Sequence, residues 1–309
     1  MKVKVSNVAF SMNQYLVDTL MSQFPDSIIN ADRIRFNGDS LVEYFKDAEA
    51  VIVGLELITA QLLDKLPNLK IIAKFGVGLD NIDLEACRNR GIVVGWKGGV
   101  NKRSVAEMTL GFMLALCRNL YSTSNELKSL YWNKNGGTQL SGKKIGIIGV
   151  GNIGKEVMSL LKPFGCEILM NDIIDLNILA KNEGFRVASK EQIFREADLI
   201  TLHVPFRKDT ENLINAEAFA LMKPSTFLIN TARGGIINEY DLKLALKKKQ
   251  IAGAALDVYE TEPPLDLELL SLPNLICTPH TGGNSSEAVV AMGLSAISHL
   301  INYYQSKNK

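Results

Sequence analysis

The stretch Ile145–Gly154, IGIIGVGNIG, lies near the middle of a 309-residue chain and carries glycines at 149, 151 and 154. The spacing G-x-G-x-x-G arises by chance in many glycine-containing proteins, so its neighbours decide its meaning. It follows an apolar run, KKIGII, that reads as a buried strand, and it opens NIGKEVMSLLKPFG, which has helical spacing. In that setting Gly149 permits a tight turn, Gly151 lets the main chain approach a pyrophosphate, and Gly154 lets the helix lie close on the strand. The helix N-terminus then offers N–H groups and a positive dipole to phosphate. A further strand, EILMND, ends at Asp172, close to the spacing of about 20 residues at which a carboxylate accepts from the adenosine ribose hydroxyls. A carboxylate there repels a 2′-phosphate, so the expected cofactor is NAD rather than NADP.

Outward from this motif, short β-branched runs alternate with helical patterns in both directions, the signature of parallel sheets covered by helices on both faces. Before it, strands are expected at KVKVSNVAF, AVIVG, KIIAKFG and GIVVG, separated by the helical stretches NQYLVDTLMSQ, TAQLLDKL and DLEACRNR. From Ile145 the rhythm restarts with KIGIIG, EILMND, LITLHVP, TFLINTA, AGAALDV and LICTP. Between the two series SVAEMTLGFMLALCRNL reads as one long helix, with Ser104 as N-cap and Glu107 completing a capping box. The fold expected is α/β, two doubly wound parallel-sheet domains. A Rossmann-type cofactor domain over 103–283 is inserted into a flavodoxin-like substrate domain made of 1–102 and 284–309, the final helix SSEAVVAMGLSAISHLINYY packing back on the first series.

Composition excludes several alternatives. Lys plus Arg is 34 against 33 Asp plus Glu, which leaves a formal charge of +1 and no global field for nucleic acid or an anionic membrane. The one basic run, Lys247–Lys249, reads as the end of a solvated helix. Cys87, Cys117, Cys166 and Cys277 are far apart and form no C-x-x-C, so neither a zinc ribbon nor a redox pair is expected, and no metal. They read as buried apolar residues in a reducing, cytoplasmic compartment. The N-terminus moves straight into a strand-like pattern without the apolar run of a signal peptide. LGFMLALC is too short to cross a bilayer, which takes about 20 apolar residues.

A bound nicotinamide cofactor implies hydride transfer, which calls for a group to exchange the hydroxyl proton and a cation to hold the substrate. His299 lies on the apolar face of the terminal helix and reads as structural; His203, in LITLHVP, ends a strand on the ligand side and could contact the cofactor, with Pro205 shaping the loop. His280, in ICTPHTGG, follows a strand and is the candidate acid/base. Glu262, in DVYETEPP, could support its charged form from a proline-stiffened loop. Arg233, in INTARGG, suits a substrate carboxylate as a bidentate partner.

The stretches FGVGLDNIDLEACRNRGI, NKRSVAEMTLGFMLAL, LSGKKIGIIGVGNIG, LHVP, INTARGGIINEYDL, ALDVYETEPP and TPHTGG, in this order, resemble the D-isomer-specific 2-hydroxyacid dehydrogenases over nearly the whole chain. The resemblance implies catalysis by Arg233, Glu262 and His280, with Arg233 on the substrate carboxylate and carbonyl oxygen. Cofactor contacts are implied at Gly149, Gly151, Asn152, Ile153, Gly154, Asp172, His203, Val204, Pro205, Thr210, Thr231, Ala232, Arg233, His280, Gly282 and Gly283, and at Asp257 toward the nicotinamide amide. Substrate contacts are implied at Lys74, Gly76, Val77, Gly78 and Asn101, together with Arg233 and His280. It also implies a homodimer through the helix near Ser104–Leu120.

Within the family, the loop around VNKRSVAE and the HTGG ending look most like short-form phosphoglycerate dehydrogenases, and 309 residues leave no space for the regulatory domain of longer relatives. A phosphorylated substrate needs cations, for which Lys74 and Arg103 are candidates. Glu56, in VGLELIT, stands where several phosphoglycerate-using relatives place a basic residue, so reduction of glyoxylate or hydroxypyruvate is the alternative. A third reading, an NAD-responsive binding module without catalysis, would favour polar or basic arms, and the chain has no extended ones.

Overall fold

Runs of Val, Ile, Leu and Ala with both faces apolar build two parallel sheets, as buried parallel strands require. The computed structural model describes residues 2–307. It divides into two units, Met1–Asn101 with Gly283–Lys309, and Lys102–Gly282.

The first unit runs β1 (Val3–Val5), α1 (Val8–Ser11), α2 (Gln14–Gln23), β2 (Ile28–Ile29), α3 (Gly38–Phe45), β3 (Ala50–Val53), α4 (Ala60–Asp64), β4 (Ile71–Lys74), α5 (Leu84–Asn89) and β5 (Val93–Gly95). Its sheet order is β2-β1-β3-β4-β5, the flavodoxin-like doubly wound order. Alternate strand residues feed opposite cores: Ala50 and Ile52 join Val3, Phe10 and Leu16 on one face, while Val51 and Val53 join Leu41, Phe45 and Leu63 on the other. Truncating a side chain as buried as Phe10 to Ala costs about 3–5 kcal/mol.

The second unit runs α6 (Lys102–Cys117), α7 (Leu120–Lys128), β6 (Lys144–Ile148), α8 (Asn152–Leu161), β7 (Glu167–Asn171), α9 (Asn177–Glu183), β8 (Arg186–Val187), α10 (Lys190–Glu196), β9 (Leu199–Leu202), α11 (Ala216–Leu221), β10 (Phe227–Asn230), α12 (Glu239–Lys247), β11 (Gly253–Leu256), α13 (Leu267–Leu270) and β12 (Leu275–Cys277). The order β12-β11-β10-β9-β6-β7-β8 is the Rossmann order with one further strand, and it reverses between β6 and β9. Such a reversal opens a crevice at the carboxyl ends of the strands, which is where the glycine turn after β6 sits. The last helix, α14 (Ser286–Lys307), returns to the first unit, where Met292, Ala296, Ile297 and Leu300 pack on the core with Phe10. His299 backs onto Gly95, whose missing side chain makes room for it, and burial lowers its pKa.

Three local expectations are corrected. KVKVSNVAF is a strand only at Val3–Val5: the Asn7 side chain accepts from the Phe10 N–H at 2.9 Å and starts α1. Ser104 is the third residue of α6 rather than its cap, because its hydroxyl donates to the Gly282 carbonyl at 2.6 Å, while Glu107 pairs with Arg103. The long helix also stops at Cys117, since Asn119 adopts φ 52° and the Cys117 carbonyl accepts from the Thr138 N–H at 2.7 Å.

Candidate active site

The turn after β6 is shaped by close approach. Gly149 has φ 97°, and a Cβ there would lie 2.5 Å from the His203 carbonyl carbon; at Gly154 it would lie 2.1 Å from the Gly149 oxygen. Gly151 is different, since a Cβ built on it meets nothing within 4 Å. It is the N-cap of α8 and no side chain caps that helix, so the space above its first turn, at Asn152 and Ile153, is open to an anion. This uncapped helix N-terminus, with room above Gly151, fits a dinucleotide pyrophosphate. Asp172 follows β7, half-buried, and ties itself to the same turn through Oδ2, which accepts from the Val150 N–H at 2.6 Å, while Oδ1 accepts from the N–H of its own neighbour Ile173 at 2.6 Å.

Across the sheet reversal, the His203 N–H donates to the Ile148 carbonyl at 2.8 Å, which brings the loop after β9 against the glycine turn. His203 Nε2 lies 3.0 Å from Thr201 Oγ1, and Nδ1 is buried with no partner among the described residues. Burial pushes the imidazole pKa down to about 3, so this histidine is neutral. Val204 is partly buried and Pro205 exposed; Thr210 turns inward, its hydroxyl donating to the Pro205 carbonyl at 2.7 Å. Thr231 is buried 2.9 Å from Thr109, hydroxyl to hydroxyl, beside buried Ala232.

Three strand ends bring the remaining groups together. Arg233 follows β10, with its Nη1 on the Ala232 carbonyl. Gly234 presses on the next loop so closely that a Cβ would lie 1.8 Å from the Tyr259 oxygen. That loop, after β11, carries Glu262, whose Oε1 accepts from the Tyr259 N–H at 3.2 Å and whose Oε2 lies 2.7 Å from His280 Nδ1. The loop is pinned to the start of α12 by the Glu260 N–H, which donates to Glu239 Oε1 at 2.7 Å. Burial raises the Glu239 pKa against this N–H, which lowers it, and the neighbouring carboxylates of Glu260, Asp266 and Glu262 add to the rise. His280 itself has φ 54°, uncommon for a non-glycine residue.

Asp257, 1% exposed, is the residue whose position spacing alone did not explain. Oδ1 accepts from Thr278 Oγ1 at 2.5 Å and from the Thr281 N–H at 2.8 Å, and Oδ2 from the Gly282 N–H at 2.7 Å. Three donors from the turn bearing His280 converge on it.

In the first unit, Gly76 has φ 134°, the Val77 carbonyl accepts from Trp96 Nε1 at 2.7 Å, and Gly76–Gly78 are partly exposed at the end of β4. Buried Asn101 lies beside Gly283, where a Cβ would sit 2.6 Å from its Nδ2; its Oδ1 has no partner among the described residues. Lys74 is 4% exposed and bonds the Gly54 carbonyl and Asn81 Oδ1. Arg103, in the second unit, is committed to Glu107 and Glu156. Among the described residues no group of three or more His, Cys, Asp or Glu could hold a metal, and no helix is long and apolar enough to cross a membrane.

The family model for the D-isomer specific 2-hydroxyacid dehydrogenase, NAD binding domain, matches residues 110–282. D-3-phosphoglycerate dehydrogenase of Methanocaldococcus jannaschii is 41% identical over 82% of the chain, which spans about half (49%) of that relative's length. Hydroxypyruvate reductase of Thermotoga maritima is 37% identical over 84% of the chain and 86% of its own. The structure of D-lactate dehydrogenase from Aquifex aeolicus, complexed with NAD and lactic acid, superposes with TM-score 0.87 at 28% identity, covering 99% of this chain and 96% of that one. With a family model over more than half its length and relatives of this likeness, the chain belongs to the D-isomer specific 2-hydroxyacid dehydrogenase family.

Proposed function

We propose that the protein interconverts a D-2-hydroxy acid and its 2-keto acid with NAD as partner. The observation that carries this reading is the 2.7 Å contact between His280 Nδ1 and Glu262 Oε2, set at the carboxyl ends of strands in the same parallel sheet as the glycine turn. When bound, NAD supplies the hydride acceptor or donor. In this reading His280 takes the hydroxyl proton on Nε2 in oxidation and returns it in reduction, and Glu262 favours the imidazolium that forms. Arg233 holds the substrate carboxylate through its guanidinium fork. In the first unit, Gly76, Val77, Gly78 and Asn101 are the residues proposed to contact substrate, through main-chain and amide donors. Gly151, Asn152, Ile153 and Gly154 receive the pyrophosphate, Asp172 the adenosine ribose in preference to a 2′-phosphate, and the loops at His203–Pro205, Thr231–Arg233 and Gly282 flank the cofactor.

Two finer identities follow from the relatives' names, oxidation of 3-phosphoglycerate and reduction of hydroxypyruvate. The assembly proposed is a homodimer built on α6 and the segment after it. The test is the loss of NADH absorbance when purified protein is mixed with glyoxylate, pyruvate, hydroxypyruvate or phosphohydroxypyruvate. Turnover of at least one, with NADPH much poorer, is expected; no oxidation with any of them overturns the reading.

A further inference from the structure

We propose that the substrate is an unphosphorylated three-carbon 2-keto acid with a hydroxyl on C3, and that Glu56 is the acceptor that selects it. The proposal rests on the dehydrogenase reading above and narrows its substrate.

β3 and β4 are neighbours in register, Val53 opposite Lys74. The loop after β4 holds Gly76–Gly78, proposed above to contact substrate; the loop after β3 holds Gly54–Ile58. Adjacent strands lie about 4.8 Å apart, a span that matches the length of a three-carbon acid. With its carboxylate at the end of β4, an acid laid across toward β3 brings C3 to Glu56.

Glu56 is held still for this task. Its Oε2 accepts from the Gly54 N–H at 2.5 Å, and its carbonyl accepts from Asn81 Nδ2 at 2.6 Å. Its Oε1 accepts from no group among the described residues, although the side chain is only partly exposed. A fixed carboxylate with one oxygen open is matched by a hydroxyl donor and repels a phosphate dianion.

Compensating cations are missing from both loops: GLELIT after β3 and FGVGLDNID after β4 contain neither Lys nor Arg. The Lys74 ammonium is buried on the Gly54 carbonyl and Asn81, and Arg103 is taken by two glutamates. Leu55 and Leu57, both exposed beside Glu56, offer no hydrogen-bond donor from their side chains. A phosphate on C3 would meet a carboxylate between two leucines.

The experiment compares kcat/KM for hydroxypyruvate, pyruvate and phosphohydroxypyruvate with NADH, in the wild type and in Glu56→Ala and Glu56→Arg. Hydroxypyruvate and pyruvate differ only in the C3 hydroxyl, so their ratio within one preparation is independent of how much of a variant is folded. The wild type should prefer hydroxypyruvate to pyruvate by about ten- to hundred-fold, the range for a hydrogen bond to a charged partner. The preference over phosphohydroxypyruvate should be larger still. Glu56→Ala should bring the hydroxypyruvate to pyruvate ratio close to one, and Glu56→Arg should raise relative use of phosphohydroxypyruvate. A wild type that prefers phosphohydroxypyruvate, or a ratio that Glu56→Ala leaves unchanged, overturns the proposal while the dehydrogenase reading stands. Absence of turnover with every keto acid overturns both.

Discussion

The Asp257 carboxylate holds the main chain at Thr281, Oδ1 to N at 2.8 Å, and so fixes the turn in which His280 adopts φ 54°. A left-handed histidine persists only where its surroundings over-determine it. Asp257→Ala strands the buried Gly282 N–H, at a cost of about 1–3 kcal/mol, and leaves the part-buried Thr278 hydroxyl and Thr281 N–H to water at a smaller one. We expect kcat to fall by one to two decades with a smaller change in NADH affinity, read from initial rates and a fluorescence titration. A variant that loses NADH binding as steeply as turnover would instead make Asp257 chiefly a cofactor ligand.

Removal of the imidazole tests the chemistry directly. His280→Ala should depress kcat by about two to four decades, the usual contribution of a positioned acid/base, and leave NADH binding nearly intact. Glu262→Gln keeps a hydrogen-bond acceptor for Nδ1 but loses the charge, so its loss of kcat should be smaller. Unchanged turnover in His280→Ala rejects its role.

The glycine turn separates two uses of one residue type. At Gly154 a Cβ would lie 2.1 Å from the Gly149 oxygen, whereas at Gly151 it meets only open space. Gly154→Ala should therefore lower the unfolding midpoint and pull α8 away from β6. Gly151→Ala should fold with an unchanged midpoint yet weaken NADH binding by about ten-fold, because the added methyl occupies the phosphate approach. Thermal unfolding and NADH titration of the two variants check the contrast. Equal NADH affinity in Gly151→Ala and the wild type counts against the cradle.

Much of this arrangement was legible because local signals were strong. Glycines at 149, 151 and 154 between a strand and a helix mark the turn, and the strand-end positions of Arg233, Glu262 and His280 follow from the strands before them. What escaped was long-range. Nothing near Asp257 in sequence announces that its acceptors serve residues 278–282, since the contact arises from the pairing of β11 with β12. Two-residue edge strands such as β2 and β8 are too short to show a period. Ser104 carried a capping signature that Gly282 overrode by offering its hydroxyl another acceptor.

Acid should destabilise the fold through His203. The unfolded chain binds a proton near pH 6.5, while the buried imidazole resists protonation until about 3, so between these values the unfolded state holds more protons. Stability is therefore full above pH 6.5 and declines as pH falls toward 3, by up to about 1.4 kcal/mol per pH unit for this one group. Urea midpoints at a series of pH values should show that slope in the wild type and a shallower one in His203→Phe. Parallel slopes would mean that other groups dominate the acid response.

The segment after α6 leaves a run of apolar side chains in solvent: Leu120, Tyr121, Leu127, Leu130, Tyr131 and Trp132, with Leu130 at 93% and Trp132 at 75% exposure. Large side chains exposed in series are costly unless something covers them, and a second copy of the same segment offers matching apolar area. Sedimentation velocity should give a species of twice the 34.0 kDa chain mass for the wild type. Leu130→Asp combined with Trp132→Asp should shift it to the chain mass, because an isologous contact places each charge in the interface twice. A wild type that sediments at the chain mass across the whole accessible concentration range would sink the dimer and leave the exposed run to another partner.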